Sequence, residues 1–162
     1  MKGSVCHELE TGLPAAEVWE VYGGFLVAQL LPQLVPEVFS KVELVEGDGG
    51  VGSVLHGRIH ERKFIKIDNE NYIKEAEVIE GGFLDQGFKK YVVRIEIIGK
   101  TDNSSVLRST IEFEAEDASK ASSVSTGGLA AIAEAVTKYM REQRSSAEPE
   151  QVPRQTSDEE TF

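Results

Sequence analysis

The chain has 162 residues, of which 40% are hydrophobic, so it is long enough to bury the core of one domain. Its 28 acidic residues outnumber 17 lysines and arginines, and the net charge of -11 repels nucleic-acid phosphates and anionic lipid surfaces. Residues 1–10 carry no cleavage-site pattern, and no stretch approaches the roughly 18 apolar residues that a membrane span needs. We therefore expect a cytoplasmic protein, a monomer or weak dimer, that binds neither nucleic acid nor membrane.

The first part of the chain predicts one strand followed by two short helices. Apolar and polar residues alternate over residues 5–10, which is the pattern of a half-buried strand. Pro14 occupies a first helical position, and the helix that it begins is ended by Gly23 and Gly24. A second short apolar segment, 27–35, predicts another helix.

The middle of the chain predicts strands joined by tight turns, which form an antiparallel meander. The strands are expected over residues 38–46, 51–56, 59–67, 72–79, 88–98 and 106–115. The glycine-rich segment 47–52 matches G-x-G-x-x-G only loosely. Because a strand follows it rather than a helix, it predicts a hairpin with positive φ angles and not a phosphate site.

The end of the chain predicts one long helix and a tail. Apolar residues recur at helical spacing over residues 127–143, and this apolar face needs the sheet as its partner. Residues 144–162 are rich in Ser, Glu, Pro, Gln and Thr, which predicts a disordered acidic tail outside a domain of residues 1–143. We therefore expect an α+β fold, with a seven-stranded antiparallel sheet wrapped around the long helix and two short helices at one end.

Strand alternation places Lys74 on the less charged face of its strand, together with Ala76 and Val78. Burial disfavours the charged form of an amine, so a lysine held against apolar surface can act as an acid, a base or an imine former near neutral pH. The alternative is a side chain that extends to solvent. Lys74 is the first candidate catalytic residue.

The neighbouring strand carries a second candidate, His60, which can titrate near neutral pH. His60 shares a face with Arg62, Phe64 and Lys66, and hydrophobicity alone leaves open whether that face points inward. A surface or structural histidine is the alternative. The sequence has no Ser/His/Asp pattern and no metal-ligand spacing, and its single cysteine, Cys6, is expected to be a small buried residue. We expect no cofactor and no metal.

The order of one strand, two short helices, six strands and a long helix resembles the Bet v I fold of the plant pathogenesis-related class-ten family. The resemblance spans residues 1 to about 142 and is strongest to the norcoclaurine synthase and norbelladine synthase branch. The segments that carry it are 1–4 (MKGS), 7–10 (HELE), 45–52 (VEGDGGVG), 63–68 (KFIKID), 79–82 (IEGG) and 129–135 (LAAIAEA). The resemblance implies a helix-grip fold, in which the sheet encloses a hydrophobic cavity against the long helix.

In that branch an aromatic amine condenses with an aromatic aldehyde inside the cavity, and an inward-pointing lysine supplies acid–base catalysis. The matching position is Lys74, and His60 could supply a second proton-transfer group. The resemblance therefore implies that the chain binds a small hydrophobic or aromatic plant metabolite, with a condensing activity at Lys74. The expected ligand contacts are Arg62, Phe64, Phe83, Tyr91, Val93, Ile132 and Val136.

The chain departs from the branch at positions that matter for the chemistry. The family's tyrosine, glutamate and aspartate are replaced by His60, Arg62 and Val93, and residues are missing between Gly57 and Arg58. Because Arg62 adds positive charge near Lys74, we expect the substrate to be neutral or anionic. The alternatives are a non-catalytic defence-related carrier and an abscisic acid-type hormone-binding protein that regulates a phosphatase.

Overall fold

The computed structural model describes residues 1–24, 26–36, 42–57 and 60–151, without the side chains at position 60 and from position 146 onward. The strands are β1 (Lys2–Glu10), β2 (Glu43–Glu46), β3 (Val54–His56), β4 (His60–Asp68), β5 (Ile73–Gly81), β6 (Phe88–Thr101) and β7 (Ser104–Ala115). The helices are α1 (Ala15–Tyr22), α2 (Leu26–Leu34), α3 (Ala118–Ser122) and α4 (Gly127–Gln151), and a 3-10 helix spans Gly82–Gln86.

All seven strands form one antiparallel sheet in the order β1-β7-β6-β5-β4-β3-β2. The six strands from β2 to β7 therefore follow each other as the predicted meander, and β1 pairs with β7 along its whole length, from Lys2 opposite Glu114 to Glu10 opposite Val106. The predicted fold class is confirmed. Among the described residues, no helix is long and apolar enough to cross a membrane.

Helix α4 lies against β1, β7 and α2. Its predicted apolar face is buried through Ile132, Ala133, Val136 and Met140. The polar residue Thr137 is also buried, and its hydroxyl has no hydrogen-bond partner among the described residues. The sheet and α2 cover more of the helix than its apolar stripe alone indicates.

The helix also runs further than predicted, to Gln151 rather than to residue 143. The part of the expected tail that follows directly on residue 143 is therefore helical. Arg144 fixes this turn to α1, because its Nη1 lies 2.9 Å from the Glu17 carboxylate. The rest of the predicted tail, residues 152–162, lies outside the described residues.

The glycine-rich segment forms a hairpin loop, as predicted. Gly47, Gly49 and Gly52 have φ angles of 88°, 100° and 89°, a region that favours glycine. The Ser53 hydroxyl accepts the N–H of Gly49 at 2.8 Å, and the Gly52 N–H donates to the Phe64 carbonyl. Strand β3 consequently begins at Val54, later than expected. Strand β2 begins at Glu43, and residues 38–41 of the predicted strand lie outside the described residues.

A bulge in β4 corrects the predicted strand faces. The register with β5 shifts between Phe64 and Lys66, so Phe64 is buried, Ile65 and Lys66 are both exposed, and Ile67 is half-buried against the core. A bulge breaks period-two alternation. The alternation predicted that Lys66 shares a face with Phe64. Because of the bulge, Lys66 is exposed while Phe64 is buried. Cys6, expected to be buried, is exposed on β1.

The buried residues form two large clusters and one small one. The first packs α1, α2 and α4 on β6 and β7, and the second joins β5, β6 and β7 to the 3-10 helix. The third contains only Ala28, Leu55 and Phe64 as fully buried members. The side chains of these three residues do not completely fill the space beside α2.

Candidate ligand-binding site

A cavity of about 100 Å³ lies beside α2, between the inner face of the sheet and helices α1, α2 and α4. Its wall is predominantly apolar. It is formed by Tyr22, Val27, Ala28, Leu31, Val42, Leu55, Gly57, Arg62, Phe64, Lys74, Ala76, Val93, Ile95, Leu129 and Ile132. Within this described wall, the charged residues are Arg62 and Lys74.

Lys74 is buried in the cavity wall, with 6% of its surface exposed. Its Nζ donates to the carbonyl oxygens of Tyr22 at 3.0 Å and of Gly24 at 2.6 Å, and it lies 4.1 Å from the centre of the Phe64 ring. Burial lowers its pKa to about 8. At neutral pH the side chain is therefore mostly a proton donor, and about a tenth of the molecules carry the neutral base.

The end of α1 explains why the ammonium is held there. The last carbonyls of a helix have no partner inside the helix, and they attract cations. Trp19 fixes this end, because its Nε1 donates to Asn69 at 3.0 Å and its ring stacks on Tyr72 at 5.4 Å. The turn between β4 and β5 thus holds the C-terminus of α1 over Lys74.

Arg62 brings a second positive charge to the cavity. It is half-buried, and burial lowers its pKa to about 10, so it remains charged at neutral pH. Burial raises the pKa of Tyr91, and the nearby Arg62 charge opposes that shift. Among the described residues, no group of three or more His, Cys, Asp or Glu side chains is placed to hold a metal ion.

The structure brings five of the predicted site residues to the cavity wall. They are Arg62, Phe64, Lys74, Val93 and Ile132. The backbone of His60 pairs with Gly81 at the start of β4, but its side chain lies outside the described part of the structure. Its catalytic role stays a prediction.

Three other predicted contacts are placed away from the cavity wall. The rings of Phe83 and Tyr91 stack on each other at 4.0 Å within the second cluster, and Val136 is fully buried in the first. Helical periodicity identifies the buried side of α4 but not which buried residue faces the empty space. The ligand contacts assigned to these three residues stay predictions.

The contribution of α1 and of the small residues to the cavity wall was not predicted from the sequence. Tyr22 lines the cavity, and its hydroxyl is buried without a partner among the described residues; burial also raises its pKa. No local signal marks this tyrosine, because its position depends on the docking of α1. Ala28 and Ala76 create the space, and only Ala76 could have been found, from the strand face that it shares with Lys74.

The burial of Lys74 predicts a pH dependence of stability. Between its folded pKa of about 8 and its ordinary value of 10.5, the unfolded chain binds a proton that the folded chain does not, so rising pH favours folding. From pH 7 to pH 10, we expect the wild type to gain roughly 2–3 kcal/mol of stability relative to Lys74→Met. Urea unfolding of both proteins at the two pH values measures this difference. An equal pH response of the two proteins would contradict the lowered pKa.

The sheet, the helix that it encloses and the internal apolar cavity define a helix-grip protein. The model of the pathogenesis-related protein Bet v 1 family matches residues 1–143, and the chain belongs to this family.

The proteins that are similar to this chain include two synthases. The chain is 44% identical to norbelladine synthase of Narcissus pseudonarcissus, over 90% of this chain and 96% of the relative. It is 34% identical to S-norcoclaurine synthase of Thalictrum flavum subsp. glaucum, over 90% of this chain and 74% of the relative. The structure of norcoclaurine synthase from Thalictrum flavum in complex with dopamine and hydroxybenzaldehyde superposes with a TM-score of 0.78, at 34% identity and over 88% of each chain.

Proposed function

We propose that the chain binds a small aromatic metabolite in the cavity and that Lys74 transfers protons in the condensation of an aromatic aldehyde with an amine. The observation that supports this most is the burial of Lys74 in an apolar wall, where its pKa falls to about 8. The similarity to norbelladine and norcoclaurine synthases supports the same chemistry.

The chemistry needs a group that both gives and takes a proton. The nitrogen of a neutral amine attacks the aldehyde carbon and loses two protons to become the imine, and the carbonyl oxygen gains two protons before it leaves as water. The Lys74 ammonium can donate each proton to the oxygen, and after each donation the neutral Lys74 can remove one from the nitrogen. A pKa near the working pH suits both steps.

A second candidate function is a carrier without catalysis. The Lys74 ammonium is already bound by two backbone carbonyls, which lowers its availability to a substrate. The cavity of about 100 Å³ is also smaller than the several hundred Å³ that ligand sites typically enclose, and two substrates need more room than one. Both observations favour a protein that binds one aromatic ring at a time.

Turnover of the Lys74 variant distinguishes the two functions. Wild type, Lys74→Ala and Lys63→Ala are incubated with tyramine or dopamine and hydroxylated benzaldehydes, and the condensation product is followed by mass spectrometry. Lys63 is the control, because it is exposed on the neighbouring strand. We expect a rate above buffer that is lost by about a hundredfold or more in Lys74→Ala, within the range of general acid–base catalysis, and is kept in Lys63→Ala.

Two results would change this assignment. An unchanged rate in Lys74→Ala removes the catalytic role of that lysine. A wild type that binds aromatic ligands without turnover is a carrier, and activity that is gained only in Arg62→Glu would identify a carrier that has lost its chemistry.

A further inference from the structure

The cavity has a charge opposite in sign to that of the whole protein. The chain carries a net charge of -11, yet the charged side chains in the described cavity wall are the cations Arg62 and Lys74. Two acidic residues of the sheet, Glu75 and Glu112, pair with Arg94 instead, at 2.7 and 3.2 Å. The interior of the site is thus positive inside an acidic molecule.

Both cations are placed where water solvates them poorly. Burial is the largest cause of the lowered pKa of Lys74 and of Arg62, which means that the surroundings penalise each positive charge. A ligand with a negative group would offset this penalty, whereas a ligand with an ammonium group would add a third cation to the same low-dielectric space. The charge of the ligand therefore matters more here than in an exposed site.

The two cations lie at different places in the cavity wall and have different donor groups. The Lys74 ammonium donates to the carbonyls of Tyr22 and Gly24 at the α1 end of the cavity. Arg62 lies on β4, on the same wall as Phe64 and Val93. Its guanidinium has the planar, forked donor set that matches a carboxylate.

We propose that the cavity selects aromatic ligands that carry one carboxylate, with the carboxylate bound by Arg62 and the ring packed against Phe64 and Val93. This inference rests on the proposed binding function, because it concerns the same cavity, and it specifies the class of ligand. It also makes an aromatic ammonium compound the disfavoured ligand of this site.

The acidic surface does not cancel this selectivity. Charges exposed to solvent are screened over about 8 Å at physiological ionic strength, whereas charges inside the cavity are screened much less. The surface charge of -11 therefore slows the approach of an anion at low salt, but the equilibrium preference is set by the groups that the ligand contacts.

The test compares three ligands that share one ring and differ in charge: 4-hydroxyphenylacetate, 4-hydroxyphenylethanol and tyramine. Their dissociation constants are measured by isothermal titration calorimetry at pH 7 with wild type, Arg62→Gln and Arg108→Gln. Arg108 is the matched control, because it also lies on a strand but faces outward, where its Nε is 2.6 Å from Glu8. Circular dichroism establishes that each variant is folded.

We expect wild type to bind the carboxylate about tenfold or more tighter than the alcohol, with tyramine weakest. Arg62→Gln should lose most of that preference, and Arg108→Gln should keep it. The preference of the wild type for the carboxylate is measured without any variant. It therefore still tests the inference if Arg62→Gln does not fold.

The contrary outcomes separate this inference from the proposed function. Tyramine that binds wild type as tightly as the acid, or an acid preference that persists in folded Arg62→Gln, overturns the inference. Binding of the alcohol without any preference for the acid also overturns it and leaves the proposed function standing. Binding of none of the three ligands overturns both.

Discussion

Ala76→Leu is expected to abolish ligand binding without unfolding the protein. Ala76 lies on the cavity wall between Lys74 and Val78 on β5, and it pairs with Phe64 on one side and with Val93 on the other. Leucine adds three carbon atoms to a cavity of only about 100 Å³. The space that a ring would occupy is then filled by the protein itself, so we expect no saturable binding of aromatic ligands by calorimetry.

The same substitution should leave stability unchanged or improve it. Each buried methylene contributes about 0.8 kcal/mol, so three carbon atoms that fit the cavity could raise the free energy of unfolding by up to about 2 kcal/mol. Ala130→Leu is the control, because Ala130 lies on α4 outside the cavity wall. A variant that is stable and still binds with wild-type affinity would show that the ligand site is elsewhere.

Most of the fold could be predicted from the sequence because the strands and helices α1, α2 and α4 each have a local signal, whereas α3 and the 3-10 helix were not predicted. Turn residues separate the strands from β2 to β7, and the period of 3.6 in α4 identifies the four apolar residues that it buries, although not Thr137. The pairing of β1 with β7 has no such signal, because it joins residues at opposite ends of the sequence. It was expected only through the resemblance to a known fold.

The site was predicted less completely, because its decisive contacts are not local. Alternation placed Lys74 on the face of β5 that lines the cavity, and it remained valid because β5 has no bulge at that residue. It failed on β4 at Lys66, where a bulge changes the register. The carbonyls of Tyr22 and Gly24 could not be predicted as partners of Lys74, since they reach it only when α1 docks on the sheet.

Gly23→Ala is expected to destabilise the protein and to release Lys74, whereas Gly24→Ala should do neither. A Cβ atom at Gly23 would lie 2.5 Å from the Trp19 ring and 2.8 Å from the Trp19 carbonyl oxygen, so the turn has to move. Overpacking of this kind typically costs about 1–3 kcal/mol. A Cβ atom at Gly24 meets nothing within 4 Å, and alanine there can be neutral or stabilising by about 0.4–1 kcal/mol. Urea unfolding of the two variants measures the difference.

The consequence for Lys74 follows from the position of Gly23 between the two residues that bind the ammonium. When the turn moves, both carbonyl acceptors move with it, and water reaches the cavity. Because burial is what lowers the Lys74 pKa to about 8, hydration should return it toward 10.5 in Gly23→Ala but not in Gly24→Ala. Titration of the lysine side-chain signals by NMR measures that pKa in both variants. If Gly23→Ala left stability and the Lys74 pKa unchanged, Trp19 would not be the residue that fixes the end of α1, and the low pKa would have to arise from the sheet alone.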